Sequence, residues 1–83
     1  TGDSMIGAGI HSGDLLVVDR SLDAVDGNVI VAALDGELTV KRLFRQGTIL
    51  RLLPANAAYE PIEILTQQSF EIFGVVTNVI HSL

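Results

Sequence analysis

The dipeptide Asp35-Gly36 is the feature that most restricts how this chain can fold. It lies between two apolar runs, residues 29–34 and 38–43, whose Val, Ile and Leu side chains favour β-strands. Asp-Gly is a preferred sequence for the two central residues of a type I′ turn, because both of them must adopt positive φ. The sequence therefore predicts an antiparallel hairpin with a two-residue turn at this point.

Two hairpin registers would place Lys41 in the middle of a sheet. The turn at residues 35–36 sets Ile30 opposite Lys41. A second two-residue turn, predicted at Gln46-Gly47, sets Leu52 opposite the same lysine on its other side. Lys41 would then stand between two aliphatic neighbours, which disfavours the charged form of its side chain.

One pair in this arrangement is unfavourable. The second register also sets Arg42 opposite Arg51, and like charges directly opposite each other destabilise a sheet. Unless an acidic side chain intervenes, one of the two registers is expected to be displaced by a residue.

The rest of the chain also has the pattern of β-structure. Further strands are predicted in apolar runs bounded by turn residues, at 15–18, 48–53, 62–65 and 70–80. Residues 4–10 are too rich in glycine for a long helix, but they permit one short helical turn with Asp3 or Ser4 as its cap. The prediction is a single all-β domain of about six or seven strands covering residues 1–83.

Composition narrows the class of protein. An 83-residue chain that is 48% hydrophobic is small enough to benefit from a partner subunit, so we expect a homodimer, with the apolar stretch 70–80 partly covered by the second copy. A net charge of -5 argues against strong direct binding to DNA. No run approaches the ~18 apolar residues of a membrane span, and the absence of cysteine fits a cytoplasmic location.

Ser4 and Lys41 are the candidate catalytic residues. A serine hydroxyl becomes a good nucleophile when a base takes its proton, and a neutral lysine in an apolar site can be that base without a histidine. A free lysine titrates at about 10.4, so burial among residues such as Leu38 and Val40 would have to lower its pKa. The alternatives are that Lys41 faces solvent on an ordinary strand and that Ser4 only caps a helical turn.

Several segments carry a resemblance to the UmuD and LexA family of self-cleaving serine peptidases. They follow one another in the order seen in that family: Gly2-Asp3-Ser4-Met5-Ile6, then residues 13–19, 35–43, 53–56 with Tyr59 and Pro61, and 73–76. Within that family the chain looks closest to UmuD, through Gly2-Asp3-Ser4-Met5-Ile6, Val31-Ala32-Ala33 and Phe73-Gly74-Val75-Val76. Other segments look more like LexA: Arg42-Leu43 leading to Gln46-Gly47, and Gln67-Gln68-Ser69-Phe70.

The resemblance implies a function as well as a fold. It implies that Ser4, activated by Lys41, attacks a peptide bond in the chain's own N-terminal arm under stimulation by a RecA–single-stranded DNA filament. The shortened dimer would then serve as accessory subunit of an error-prone translesion DNA polymerase. Because the sequence begins just before Ser4, we expect the arm with the cleavage site to be absent from it. We further expect the amide of Ser4 and an adjacent one to form an oxyanion hole.

Two alternatives to the UmuD-like interpretation stay open. The first is the C-terminal domain of a LexA-like or phage transcriptional repressor, which a helix-turn-helix pattern upstream would indicate. The second is a dimerisation module without catalytic activity. The two histidines, His11 and His81, have no neighbouring pattern of metal ligands and are expected to be solvent-exposed, and no metal or cofactor is predicted.

Overall fold

The computed structural model describes residues 3–83, and Thr1 and Gly2, including the glycine of the Gly2-Asp3-Ser4-Met5 motif, lie outside the described residues. Within that range six antiparallel strands form one sheet in the order β1-β6-β2-β3-β4-β5. The strands are β1 (Leu15–Asp19), β2 (Val29–Leu34), β3 (Glu37–Gln46), β4 (Ile49–Leu53), β5 (Ile62–Glu63) and β6 (Phe70–Ile80). The predicted all-β fold is confirmed.

The first hairpin follows its prediction in every pair. Leu34 faces Glu37 across the turn, and Asp35 and Gly36 have φ of 50° and 85°, as a type I′ turn requires. Ile30 lies opposite Lys41.

The second hairpin turns one residue later than predicted. Gln46 pairs with Ile49, so Gly47 and Thr48 form the turn, with Gly47 at a φ of 59°. Leu52 consequently lies opposite Leu43, and the prediction that it faces Lys41 is wrong. A shift of one residue in a turn moves each cross-strand partner by two positions, because both strands slide.

The observed register removes the predicted arginine pair. Arg51 now lies opposite Phe44, with its guanidinium carbon 5.5 Å from the ring centroid. Its Nε donates a hydrogen bond of 3.3 Å to Glu63 of β5. The slide therefore replaces a repulsive contact with Arg42 by an aromatic neighbour and an acidic one.

The core lies on one face of the neighbouring strands β2, β3 and β4. Its fully buried side chains are Ile30, Ala32, Leu43 and Leu52, and Ile72 and Phe70 of β6 pack against them. The short helical turn is a 3₁₀ helix at Ile6–Ala8. Its N-cap is Met5 without a side-chain hydrogen bond, so the prediction that Asp3 or Ser4 caps it is wrong, and the carbonyl of Asp3 accepts the Ile6 N–H instead.

Candidate active site

Lys41 lies at the point where one of its two neighbouring strands ends. On one side Ile30 of β2 pairs with it directly. On the other side the last pair between β3 and β4 is Arg42 with Leu53, and Pro54 follows. Proline has no N–H with which to continue the ladder. One edge of β3 is therefore open beside Lys41.

The loop after β4 brings the segment that carries Ser4 to this open edge. The Ala55 amide donates to the Ser4 carbonyl at 2.7 Å, and the Gly7 amide donates to the Ala55 carbonyl at 2.6 Å. The Asn56 side-chain amide donates to the Asp3 carbonyl at 2.9 Å. The acceptors in all three bonds are backbone carbonyls. The bonds therefore fix the position of the N-terminal segment and leave the Ser4 hydroxyl unused.

Gly7 is required for this close approach. A Cβ atom at that position would overlap the carbonyl oxygen of Ala55. That oxygen belongs to the backbone, so it cannot move aside as the end of a flexible side chain can. A larger residue would push the N-terminal segment away from the loop. The spacing of Gly7 after Ser4 thus has a structural reason that the sequence analysis did not find.

Ser4 and Lys41 line the same cavity, which has a volume of about 380 Å³ and opens to solvent. The other lining residues are mostly apolar side chains with a few polar groups among them: Met5, Ile10, His11, Ser12, Asp14, Leu16, Val31, Leu38, Thr39 and Val40. Leu38 is 67% exposed, so it offers an apolar surface to whatever enters. A cavity whose walls are mostly apolar, with the Ser4 hydroxyl and the Lys41 amine both on its surface, can accommodate a peptide segment beside a nucleophile.

Burial lowers the pKa of the Lys41 amine. The side chain is half-buried, and the loss of water around it disfavours the charged form. Its Nζ donates to Thr39 Oγ1 at 2.7 Å and to the Val40 carbonyl at 3.2 Å. Within residues 3–83 no hydrogen bond joins Nζ directly to Ser4 Oγ, so the Ser-Lys dyad stays a prediction.

The backbone amides of Ser4 and Met5 are the candidate donors of the oxyanion hole. In the described part of the chain, neither amide donates a hydrogen bond to a protein acceptor. Both precede the 3₁₀ helix, where free N–H groups are expected. The predicted oxyanion hole is compatible with this arrangement and stays a prediction.

The histidines are exposed, as predicted, but they are not isolated. Their side chains are 56% and 57% exposed, and their rings lie 6.2 Å apart. Nδ1 of His11 and of His81 lie 3.7 and 3.8 Å from the same oxygen of Asp14. Among residues 3–83 no group of His, Cys, Asp or Glu is arranged to hold a metal ion.

The comparison with known families matches residues 1–77 to the Peptidase S24-like domain. The chain belongs to this family. This match and the observed β fold support the expectation that the chain belongs to a family of self-cleaving serine peptidases.

Three curated proteins with strong similarity to this chain are LexA repressors. LexA repressor 2 of Pseudomonas putida is 55% identical over 74 residues, which is 89% of this chain and 37% of the relative. LexA repressor 1 of Xanthomonas campestris pv. campestris is 49% identical over 79 residues, 95% of this chain and 39% of the relative. The LexA repressor of Sodalis glossinidius is 47% identical over 83 residues, 99% of this chain and 41% of the relative.

The chain thus spans about two fifths of the length of these relatives. They do not support the expectation that UmuD is the closer resemblance; the LexA-like alternative agrees better with them. No helix among residues 3–83 is long and apolar enough to cross a membrane.

Proposed function

We propose that this chain is the self-cleaving serine peptidase domain of a LexA-like transcriptional repressor that responds to DNA damage. The observation that carries the peptidase part is the cavity shared by Ser4 and Lys41, in which burial lowers the pKa of the lysine. The similarity to LexA repressors over 89% or more of the chain supports the repressor part.

The proposed chemistry is acyl transfer by a Ser-Lys dyad. The neutral Lys41 amine takes the proton of the Ser4 hydroxyl while Oγ attacks the carbonyl carbon of a peptide bond. The amides of Ser4 and Met5 donate hydrogen bonds to the oxyanion that forms. The Lys41 ammonium then gives its proton to the leaving amine, and water, deprotonated by the same lysine, hydrolyses the ester on Ser4.

In this proposal the substrate is a peptide segment of the repressor itself, upstream of Ser4 in the chain. The resemblance to the family associates its cleavage with a RecA–single-stranded DNA filament. A UmuD-like accessory subunit of a translesion polymerase is the second interpretation, but the relatives named above do not support it.

A serine-directed phosphonylating probe tests the peptidase part. We expect the chain to gain one phosphonyl group at Ser4, located by mass spectrometry of peptides, and we expect Ser4→Ala to abolish the reaction. Lys41→Met should slow the reaction by about 10²-fold or more, because the base is lost. Ser12→Ala is the matched control, since Ser12 lines the same cavity and its loss should change nothing.

Two outcomes of this experiment would contradict the proposal. Absence of labelling in the unmodified chain would favour a catalytically silent dimerisation module. Labelling that persists in Ser4→Ala or is unaffected by Lys41→Met would show that the reactive serine is another one or has another base.

We also propose that the domain forms a homodimer through the edge strand β1 and its neighbour β6. Leu15 of β1 lies opposite Ile80 of β6, and the two are 67% and 54% exposed, with Val17 beside them at 43%. Adjacent exposed aliphatic side chains are typical of a contact with another chain. Among the large apolar side chains of β6, only Val75 is buried within the described protein.

Analytical ultracentrifugation tests the dimer. We expect a dimer at tens of micromolar chain and a shift to monomer for Ile80→Glu, which places a charge in the contact. Leu65→Glu is the matched control, because Leu65 is equally exposed at 55% but lies outside β1 and β6. A monomer at that concentration for the unmodified chain would contradict this part of the proposal alone.

A further inference from the structure

Three ionisable side chains meet beside the candidate active site. The Asp14 carboxylate, only 6% exposed, accepts the His11 backbone N–H at 2.8 Å. Its Oδ2 also lies 3.7 Å from His11 Nδ1 and 3.8 Å from His81 Nδ1. His11 and Asp14 precede β1, whereas His81 directly follows the last residue of β6. The fold therefore holds two exposed imidazoles around one buried carboxylate.

This cluster extends the cavity of Ser4 and Lys41 into a longer groove. A second cavity, of about 390 Å³, adjoins the first and is lined by His11, Ser12, Gly13, Asp14, His81 and Ser82. The first three residues of the wall common to both cavities are His11, Ser12 and Asp14. An extended peptide advances about 3.3 Å per residue. A peptide whose carbonyl lies at Ser4 can therefore place a side chain a few residues away in the second cavity.

The buried carboxylate also decides which nitrogen of each ring is free. Because a carboxylate only accepts hydrogen bonds, it favours the neutral imidazole that has its proton on Nδ1, the nitrogen next to Asp14. Nε2, at the far side of each ring, then carries a lone pair. At about pH 8, where an imidazole is mostly neutral, the cluster presents two acceptor nitrogens and the single negative charge of Asp14.

Protonation of the two rings reverses the sign of this charge. An imidazole gains its proton between about pH 8 and pH 5. Two positive charges then surround one negative charge, and each Nε2 becomes a donor. Nearby elements add little to the cluster itself, since β1 begins with Leu15 and β6 ends with Ile80. The charged side chain that β3 presents to the groove is Lys41, in the first cavity.

We propose that His11, Asp14 and His81 form a subsite that binds a basic side chain of the peptide substrate near pH 8 and loses this preference in acid. A lysine or arginine donates to the Nε2 lone pairs and is attracted by the Asp14 carboxylate. A glutamate is favoured once both imidazoles are protonated. The inference rests on the proposed function, because it takes the substrate to be a peptide whose carbonyl lies at Ser4. It adds the chemical class of one substrate residue.

The experiment measures how strongly short peptides slow the phosphonylation of Ser4. The peptides have about eight residues of alanine and serine with blocked ends, and each carries one lysine, glutamine or glutamate at each position in turn. At about pH 8 we expect one position at which the lysine peptide inhibits at about 3- to 10-fold lower concentration than the glutamate peptide. At about pH 5.5 we expect the order to reverse. Ratios taken at a single pH cancel the effect of that pH on Lys41.

Two variants separate the charge of the subsite from its imidazoles. Asp14→Asn removes the charge but keeps an oxygen that can accept the His11 N–H, so the preference for lysine at about pH 8 should disappear while the turn is retained. His81→Gln removes an imidazole that lines the second cavity and not the first. One imidazolium then only balances Asp14, so the preference for glutamate at about pH 5.5 should disappear.

A matched control removes a negative charge elsewhere. Glu60 is exposed in a loop and lines neither cavity, so Glu60→Gln should leave both ratios unchanged. Urea unfolding of each variant checks that the fold is intact. If the unmodified chain is not labelled, or Lys41→Met is labelled equally, the proposed function fails and this inference fails with it.

Four results would overturn the inference while the proposed function stands. The first is labelling of Ser4 that none of the peptides slows. The second is inhibition that does not depend on the charge of the peptide, or that favours glutamate at about pH 8. The third is the same order of lysine and glutamate at both pH values. The fourth is a preference for lysine that survives in folded Asp14→Asn, which would place the selective group elsewhere.

Discussion

The two hairpins that share β3 differ at the position of Lys41. In the β2–β3 hairpin the ladder extends past the lysine, and Ile30 covers it from that side. In the β3–β4 hairpin the ladder stops one pair short of it, at Arg42 and Leu53. One side of the lysine is therefore closed by a buried aliphatic residue, and the other side is open to a loop.

This difference shows how a sheet can make a lysine both desolvated and accessible. A fully paired central position would bury the amine but would leave no room for a nucleophile. A position at a sheet edge would give room but would leave the amine in water, where it stays charged. Because β4 ends before Pro54, Lys41 is partly desolvated and still has open space beside it. The loop that follows β4 holds the Ser4 segment at this open space through backbone hydrogen bonds.

The largest expected effect tests the closed side. Ile30 has 0% of its surface exposed, so Ile30→Ala should lower the free energy of unfolding by about 2–5 kcal/mol. Leu53 is only half-buried, so Leu53→Ala should lower the free energy of unfolding by clearly less. Urea midpoints of the two variants measure the difference. Equal losses would mean that the last residue of β4 is packed as tightly as the centre of the sheet.

A pair of glycine substitutions tests the connection on the open side. Gly7→Ala should cost about 1–3 kcal/mol and also slow the phosphonylation of Ser4, because the new methyl collides with the Ala55 carbonyl. Gly36→Ala strains a turn residue whose φ is 85°, and it should cost about 1 kcal/mol without changing the reactivity of Ser4. Normal reactivity in folded Gly7→Ala would show that the loop contact does not position the serine.

Replacement of Lys41 by methionine tests the desolvation itself. Burial makes the folded-state pKa of Lys41 lower than its unfolded value, so between these two values the unfolded chain binds more protons. The stability of the unmodified chain should therefore rise with pH across that window, and the contribution is complete above the unfolded value of about 10.4. Lys41→Met should lack this rise and should be at least as stable near neutral pH.

Urea titrations of the two proteins from about pH 7 to pH 10.5 measure this component. Parallel stability curves would mean that the Lys41 amine is solvated like that of any surface lysine. Burial beside Ile30 would then have no effect on its pKa.

The smallest expected effect concerns the register of the second hairpin. A double-mutant cycle of Arg51 and Glu63 should give a coupling of about 0.2–1 kcal/mol, because both side chains are partly exposed. A cycle of Arg42 and Arg51 should give none, since these residues are not opposite each other. Repulsive coupling of the two arginines would support the register with the turn at Gln46-Gly47.

Local signals in the sequence were sufficient for most of the fold. The type I′ turn at residues 35–36 needs only the conformational preferences of two adjacent residues, and the pairing of Ile30 with Lys41 follows from it. The second turn could not be placed in this way, because Gly47 suits two adjacent turns. The choice between them involves Glu63, which comes from a strand much further along the chain.

The sequence predicted two residues of the candidate site but not how the chain brings them together. Ser4 and Lys41 were found through their chemistry and the resemblance of the surrounding segments, and the structure brings both to one cavity. The loop contacts of Ala55 left no side-chain pattern, because they use backbone atoms alone. Thr39 did leave a signal, since it precedes Lys41 by two positions on a strand and must share its face.

The attachment of Ser4 to the loop also has a consequence for the order of folding. The bond between Asn56 and Asp3 joins residues 53 positions apart, whereas the hairpins close over a few residues. Closing the longer loop costs more chain entropy, so we expect the N-terminal segment to dock after the β2–β4 meander has formed. A newly made chain would then have a folded sheet before Ser4 is held at the loop after β4. The backbone amides of the N-terminal segment should also exchange with solvent hydrogen sooner than those of the central strands.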